Sequence, residues 1–320
     1  MSHSKSEQLH PIFGALEAGG TKFVCAVGSG PGMQLLERTQ FSTGEVPARL
    51  MSNVAEWFAG QEKKHGALAG LGVASFGPVD LEQSSPTYGF ITTTPKPGWQ
   101  QADILGPLRR VFPGLSIGFD TDVNGAGLGE ARWGAARGLK DFVYVTVGTG
   151  IGGGGMARGQ LLHGLGHPEM GHMGMPQLAD DDFAGACSFH GRCWEGLCSG
   201  PAIAKRTGMT AEQLPHDHPS WDITIRYMAH ALVNLTCVLS PRRIIVGGSV
   251  RKGGQLGEER FFARLRADFR KVLAGYISLP SFTEAGIAEF IVPPQLGDDA
   301  GVCGALALAQ DAAKAEKLEL

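Results

Sequence analysis

Residues 142–157 read FVYVTVGTGIGGGGMA, an apolar run that passes into a glycine-dense turn and then returns through small and apolar residues. Nearer the amino terminus, residues 12–27 read IFGALEAGGTKFVCAV and follow the same design around a double glycine. Short apolar runs separated by glycines are typical of β-hairpins. A hairpin of this kind opens each half of the chain, so we predict two similar α/β lobes around an interdomain cleft.

The spacing of apolar residues predicts the remaining elements. Helices are expected over Pro47–His65, Val123–Ala136, Trp221–Leu239, Glu258–Leu273 and Gly301–Leu318, and short strands over Leu71–Ser75, Leu115–Phe119, Arg243–Val246 and Glu289–Val292. The proline-rich residues 84–99 predict a long irregular loop. We expect a disordered tail at 1–11, an N-terminal lobe at 12–120 onto which helix 301–318 packs back, and a C-terminal lobe at 121–300.

Composition narrows the class of protein. The 320 residues are 43% hydrophobic and 18% charged, and the formal net charge is −3, which does not favour nucleic acid or an anionic membrane as a partner. Six cysteines in a chain of this length do not form a disulfide framework, which favours a reducing compartment. The polar first ten residues do not resemble a signal peptide. We therefore expect a cytoplasmic protein without a membrane anchor.

A cluster of cysteine and histidine lies within residues 172–193, which we take as a metal-binding insertion in the second lobe. Cys187, His190 and Cys193 follow one another at steps of three, and His172 supplies a fourth ligand. Two thiolates and two imidazoles suit a tetrahedral zinc ion. Because protein groups would fill all four positions, such a zinc ion would be structural. The alternative is that the cysteines are small core residues and the histidines lie at the surface.

Two glycine turns are candidate phosphate-binding sites. In the first, Gly19, Gly20 and Thr21 precede Lys22, and in the second the candidates are Thr149, Gly150, Gly152 and Gly153. Backbone N–H groups in such turns reach phosphate oxygens without an intervening side chain, and a lysine offsets their charge. Ordinary hairpin turns would look the same. Gly200-Pro201 resembles a helix start and Gly247-Gly248 a turn after a strand; each could contact an adenine or ribose or be a plain turn.

Three carboxylates are candidates for chemistry. Asp122 stands at the end of a strand and directly before a helix, where it would either cap the helix or accept a proton from a substrate hydroxyl. Glu169 and Glu195 flank the cysteine–histidine cluster. Together with His172 they would present hydrogen-bond acceptors to a polyol, or they would be solvated surface charges.

Taken together, these segments resemble the ROK family (repressors, uncharacterised frames and sugar kinases) of the actin/hexokinase-like superfamily, from Gly14 to Gly304. The resemblance rests on five motifs, which match Glu17–Lys22, Asp122 with Asn124, Gly148–Gly153, Glu169–His172 and Cys187–Glu195. Many members have aspartate at the position of Glu17 and asparagine at that of Thr121. The Cys-x-x-His-x-x-Cys spacing and the loop Thr87–Trp99 resemble the fructokinase branch.

This resemblance implies two ribonuclease H-like lobes and ATP-dependent transfer of a phosphoryl group to the 6-hydroxyl of D-fructose. Asp122 would be the general base. The sugar would be bound by Glu169, His172, Glu195, Gly77 and Asn124, and the nucleotide by the two glycine turns with Gly200, Pro201, Gly247 and Gly248. Mg²⁺ would accompany ATP, and structural Zn²⁺ would be held by His172, Cys187, His190 and Cys193. The family also implies a homodimer.

Two alternatives remain at this point. The substrate could be another hexose, such as glucose, mannose or an N-acetylhexosamine, since one hydroxyl distinguishes these sugars. The chain could also be a sugar-sensing regulator, because ROK repressors resemble kinases with an added N-terminal DNA-binding domain. Residues 1–11 are too few for a helix-turn-helix, so we expect an enzyme.

Overall fold

The computed structural model describes residues 10–32 and 34–319, with side chains up to Glu316. Within this part the chain forms two compact units. The first unit extends to Gly125 and includes the chain again from Gly301, and the second unit comprises Ala126–Ala300. Asp122 and Asn124 therefore belong to the first unit. Residues 1–9 of the predicted tail lie outside the described residues.

The first unit contains a five-stranded mixed sheet. Its strands are β1 (Ile12–Ala18), β2 (Lys22–Ser29), β3 (Gln34–Ser42), β4 (Leu68–Ser75) and β5 (Ile117–Thr121), and its helices are α1 (Pro47–His65), α2 (Leu105–Val111) and the start of α3 (Asp122–Trp133). The strand order is β3-β2-β1-β4-β5. Antiparallel pairs join β1, β2 and β3, whereas β1, β4 and β5 run parallel.

The second unit repeats this arrangement. Its strands are β6 (Phe142–Val147), β7 (Ile151–Ala157), β8 (Gln160–Leu161), β9 (Ile244–Gly247) and β10 (Ile291–Val292), and the helices are α4 (Trp194–Cys198), α5 (Gly200–Thr207), α6 (Ser220–Leu239), α7 (Glu258–Leu273) and α8 (Ile287–Phe290). The order β8-β7-β6-β9-β10 has the same parallel and antiparallel pairs as the first sheet. The prediction of two similar α/β lobes is confirmed.

Each unit has its own apolar core because its strands carry long apolar runs. Trp194, Trp221 and Tyr227 are fully buried in the second unit, and Phe23 and Phe58 in the first. Burying one large apolar side chain contributes about 1.5–3 kcal/mol. No described helix combines the length and the apolar character needed to cross a bilayer.

Both predicted hairpins are confirmed, and the prediction of a strand over Glu289–Val292 is wrong in part. Glu289 and Phe290 belong to the helical turn α8, so only Ile291–Val292 forms a strand, which pairs with β9. A short apolar run does not by its periodicity distinguish a strand from a helical turn. Strand β3 was not predicted. It lies at the sheet edge with half-exposed and exposed residues in alternation, so its sequence lacks an apolar run.

The predicted irregular loop at 84–99 is confirmed, and it is anchored at its carboxyl end. Trp99 is fully buried and its Nε1 donates to the carbonyl oxygen of Gly44 at 2.9 Å. The indole packs against Phe23 and Phe76, with ring centroids 5.3 and 5.4 Å away. Trp99 therefore attaches the end of this loop to the sheet of the first unit, and Tyr88 near its start packs on Phe119 of β5 with ring centroids 5.9 Å apart.

The last helix, α9 (Ala300–Glu319), packs closely on the parallel strands of the first unit. A Cβ atom placed on Gly72 of β4 would lie 1.8 Å from the carbonyl oxygen of Ala305, and one on Gly118 of β5 would lie 2.5 Å from that of Leu308. These distances are far below any real contact. Glycine in the strands therefore permits the backbone of α9 to approach the sheet.

We predict that Gly72→Ala lowers the free energy of unfolding by about 3 kcal/mol or more, because the new methyl group overlaps helix backbone that has no room to move. Gly60→Ala is the matched control. Gly60 lies inside α1, and a Cβ atom placed on it would meet nothing within 4 Å, so alanine should stabilise the helix by up to about 1 kcal/mol. Urea unfolding measures both; equal stability of the two variants would contradict the packing.

Candidate active site

The first glycine turn joins β1 to β2, and two of its carbonyl oxygens accept hydrogen bonds from Thr43. Thr43 donates its Oγ1 to the oxygen of Gly19 at 2.8 Å and its backbone N to the oxygen of Thr21 at 3.0 Å. Gly19 N donates to Lys22 O at 3.0 Å. Within the described residues the N–H groups of Gly20 and Thr21 have no partner. The turn therefore presents two amides and an exposed lysine, as phosphate binding requires.

The ends of β4 and β5 lie beside this turn. Phe76 N, just after β4, donates to the oxygen of Ala18 at 2.7 Å, and β4 pairs in parallel with β5 up to Thr121. Gly77 and Asp122 follow these two strand ends. Ligands of open α/β sheets bind at the carboxyl ends of the parallel strands. The first unit thus brings three sequence-predicted elements to one edge of its sheet.

Thr121, rather than Asp122, caps helix α3. The Oγ1 of Thr121 accepts from Asn124 N at 3.1 Å, whereas Asp122 is the first residue of the helix and is half-buried. Asp120 Oδ1 accepts from the side-chain nitrogen of Asn124 at 2.9 Å, and Asn124 is fully buried. Asp122 Oδ1 accepts from Val123 N at 2.9 Å, so its carboxylate also bonds a backbone amide at the start of the helix.

The second glycine turn joins β6 to β7 and is held by helix α5. Gly148 N donates to Gly150 O at 2.9 Å, and Gly200 N, at the start of α5, donates to Gly148 O at 2.7 Å. Thr149 at the tip is exposed. Pro201 lies in the first turn of α5, which Ser199 caps. The predicted nucleotide residues at the start of α5 therefore contact the predicted phosphate turn.

Gly247 and Gly248 lie on the other side of the same turn. Gly248 has φ +85°, and a Cβ there would lie 2.2 Å from the oxygen of Val147. Gly247 pairs in parallel with Thr146 of β6. The two remaining predicted glycines, Gly152 and Gly153, are in β7. The structure thus gathers all the second-unit nucleotide candidates around the end of β6.

The four predicted metal ligands meet in one place. The donor atoms of His172, Cys187, His190 and Cys193 all lie within 4.8 Å of one another. The Sγ atom of Cys187 is 3.8 Å from both histidine Nδ1 atoms, and the Cys193 Sγ is 3.5 Å from Nδ1 of His172. A tetrahedral zinc ion places sulfur and nitrogen ligands about 3.5 Å apart, from bond lengths of about 2.3 and 2.0 Å. The spacing of the donors fits such an ion.

Short helical elements orient two of these ligands. His172 ends a single helical turn that begins at Met170, and Cys193 precedes helix α4, where its Sγ accepts from Gly196 N at 3.4 Å. Burial raises the pKa of the Cys193 thiol to about 11. A bound cation would favour the thiolate, because a metal ligand must be deprotonated.

The carboxylates beside this cluster have different surroundings. Glu195, in the first turn of α4, accepts from Ile151 N through Oε2 at 2.8 Å, which joins the metal-site helix to the second glycine turn. Partial burial, with a smaller contribution from the charge of Glu195, raises the pKa of Glu169 to about 7. A hydroxyl donor would stabilise its charged form. Glu169 keeps 41% of its side-chain surface exposed, so a ligand could reach it.

A buried ionic cluster that we did not predict supports the metal loop, residues 172–193, which carries the four ligands. Asp181 is 5% exposed, forms an ion pair with Arg206 of α5 and accepts from Tyr227 Oη of α6 at 2.8 Å. Arg192, adjacent to Cys193, donates to the same Tyr227 oxygen at 2.8 Å. Burial opposes ionisation, but the hydrogen bonds from Arg206 and Tyr227 hold the pKa of Asp181 below its usual range. The three consecutive aspartates Asp180–Asp182 in the sequence do not indicate which of them turns inward.

We predict that the protein binds one zinc ion per chain and that Cys193→Ser releases it, because a serine hydroxyl is a far poorer zinc ligand than a thiolate. Cys237→Ser is the control, since Cys237 is an exposed cysteine outside the cluster. Metal content measured by mass spectrometry on the purified variants checks the prediction. Zinc retained at one per chain in Cys193→Ser would exclude this ligand set.

The chain is similar to known proteins over most of its length. The ROK family profile matches residues 13–312. A fructokinase from Zymomonas mobilis is 41% identical over 304 residues, covering 93% of this chain and 96% of that protein. A fructokinase from Pediococcus pentosaceus is 39% identical over 303 residues, covering 95% and 99%.

A solved ROK hexokinase from Thermus thermophilus superimposes with a TM-score of 0.75 at 25% identity, covering 95% of this chain and 99% of that one. The two-lobe ATPase fold expected from the resemblance is thereby confirmed. The match of the family profile spans nearly all of the described residues in both units. This chain therefore belongs to the ROK family.

Proposed function

We propose that this protein is an ATP-dependent fructokinase that transfers the γ-phosphoryl group to the 6-hydroxyl of D-fructose. The observation that carries the proposal is the identity of about 40% to proteins named fructokinase over more than nine-tenths of the chain. The structure also contains two phosphate-type turns, a carboxylate at the end of a strand and a cysteine–histidine cluster. These features support the proposal.

In this proposal Asp122 accepts the proton of the 6-hydroxyl as the oxygen attacks phosphorus. Phosphoryl transfer depends mainly on positioning and on charge stabilisation, and a catalytic aspartate orients the attacking hydroxyl. Thr121 caps helix α3, and the half-buried carboxylate of Asp122, which accepts from Val123 N at 2.9 Å, lies at the first residue of that helix. The amides of Gly20 and Thr21 and the Lys22 ammonium would bind phosphate oxygens of the Mg²⁺ complex of ATP.

The second unit would contribute to both substrates. Thr149 to Gly153 and the start of α5 would bind the nucleotide, with Gly247 and Gly248 beside the adenosine. Glu169 and Glu195 would accept hydrogen bonds from sugar hydroxyls, and the ring nitrogen of His172 that does not bind zinc would donate one. Gly77 would contact the sugar through its backbone. Asn124, whose side-chain amide donates to Asp120, would also belong to the sugar site.

We further propose that zinc, bound by His172 and the three other ligands, is structural. When bound, it supplies four bonds that close the metal loop. Glu195 follows Cys193 by two residues, and its Oε2 is already held by Ile151 N. The loop would therefore fix the direction of this carboxylate. A homodimer, which the family resemblance implies, in the cytoplasm, which the cysteine content favours, completes the proposal.

A coupled ADP-release assay with Mg²⁺–ATP across fructose, glucose, mannose and N-acetylmannosamine tests the function. We expect kcat/KM for fructose to exceed that for every other hexose by at least about tenfold, because a site built for particular hydroxyls leaves polar groups unpaired with the wrong sugar. Preference for another hexose would retain the kinase and change its substrate. Absence of turnover from folded, zinc-loaded protein would support a sugar-binding regulator instead.

We predict that Asp122→Asn lowers kcat for fructose by about 10²- to 10⁴-fold, the usual contribution of a general base. The melting temperature should stay within a few degrees of the parent protein, because the cap of α3 at Thr121 is unchanged. Steady-state kinetics and thermal unfolding are measured on the same preparation. A folded variant with near-parent kcat would remove Asp122 from the role of base.

A further inference from the structure

Thr43 holds the first glycine turn from behind. It follows β3 directly, is 1% exposed and belongs to none of the motifs singled out in the sequence. Its hydroxyl donates to the oxygen of Gly19 at 2.8 Å and its backbone N to that of Thr21 at 3.0 Å. One buried residue thus binds two carbonyl oxygens of a three-residue turn.

A hydrogen bond that fixes the orientation of a peptide carbonyl group also fixes the orientation of the N–H group in the same peptide. The C=O of Gly19 and the N–H of Gly20 belong to one planar trans peptide, so they point in opposite directions. When the carbonyl oxygen of Gly19 accepts from Thr43, the N–H of Gly20 is directed away from Thr43. A rotation of this peptide would instead turn the carbonyl dipole toward an incoming phosphate, which its negative oxygen would repel.

Thr43 is itself held in place. The next residue, Gly44, accepts the indole N–H of Trp99 through its carbonyl oxygen at 2.9 Å. Trp99 is fully buried between the rings of Phe23, one residue after the start of β2, and Phe76, just after the end of β4. The hydroxyl of Thr43 therefore acts from a rigid support rather than from a mobile loop.

We propose that Thr43 is a positioning residue for the phosphoryl donor: its hydroxyl orients the Gly19–Gly20 peptide so that the Gly20 N–H binds a phosphate oxygen of ATP. This inference rests on the proposed kinase function. It requires that loss of the hydroxyl weakens the nucleotide and leaves the sugar unaffected. A purely structural role would lower stability without separating the two substrates.

Thr43→Val tests the proposal, because valine keeps the shape and the β-branch of threonine but cannot donate. We expect the KM for ATP to rise about fivefold to tenfold, the effect of losing one hydrogen bond of ordinary strength. The KM for fructose should change less than twofold. Thr43→Ser keeps the hydroxyl and should restore the KM for ATP to within twofold of the parent. Thr39→Val, at a half-exposed position of β3 four residues before Thr43, is the control and should change neither constant.

Calorimetric titration with Mg²⁺–ATP separates this inference from the function it rests on. If the parent binds ATP and Thr43→Val binds it at least about fivefold more weakly, the positioning role holds whichever sugar is the acceptor. Equal ATP affinity in parent and variant, or an equal rise in both KM values, would overturn it. If Thr43→Val does not fold, Thr43→Ser with parent stability and weakened ATP binding would also contradict the role of the hydroxyl.

Discussion

A carbonyl oxygen at each glycine turn accepts a hydrogen bond from a neighbouring segment. In the first unit Thr43 donates to Gly19, and in the second Gly200 N donates to Gly148. A peptide group held through its oxygen presents its N–H in a fixed direction, because the group is planar. Such a turn meets a phosphate without first having to reorganise. The remaining nucleotide and acid–base candidates are arranged around these two turns.

The metal loop is also held in place by neighbouring segments, but here the contacts are made by charged side chains rather than by backbone amides. Asp181 is buried against Arg206 and Tyr227, and Arg192, the residue before Cys193, donates to Tyr227. Breaking one member of a buried ionic group leaves an uncompensated charge, so such clusters resist rearrangement. The loop is therefore supported on two sides, by this cluster and by the proposed zinc ion. The bond from Ile151 N to Glu195 carries that support to the second glycine turn.

Much of the site was predictable because its signals are local. Each signal can be recognised within a few residues of sequence: a glycine turn after a strand, cysteine and histidine at steps of three, and a carboxylate directly before a helix. The metal ligands were predicted as a set and lie together. The support for these groups was not predictable: Thr43 and Asp181 are single polar residues among many, and β3 is a polar edge strand without an apolar run. Nothing in their neighbours along the chain shows that they are buried.

The sequence by itself determined the two hairpins, the long helices, the positions of the glycine turns and the family, since short-range apolar spacing and the order of motifs carry that information. The tertiary structure alone decided the strand order shared by both sheets and the approach of α9 to Gly72. Each of these depends on which distant segment lies beside a residue. Burial and hydrogen bonding between residues far apart in the chain are set by packing, and packing has no local signature in the sequence.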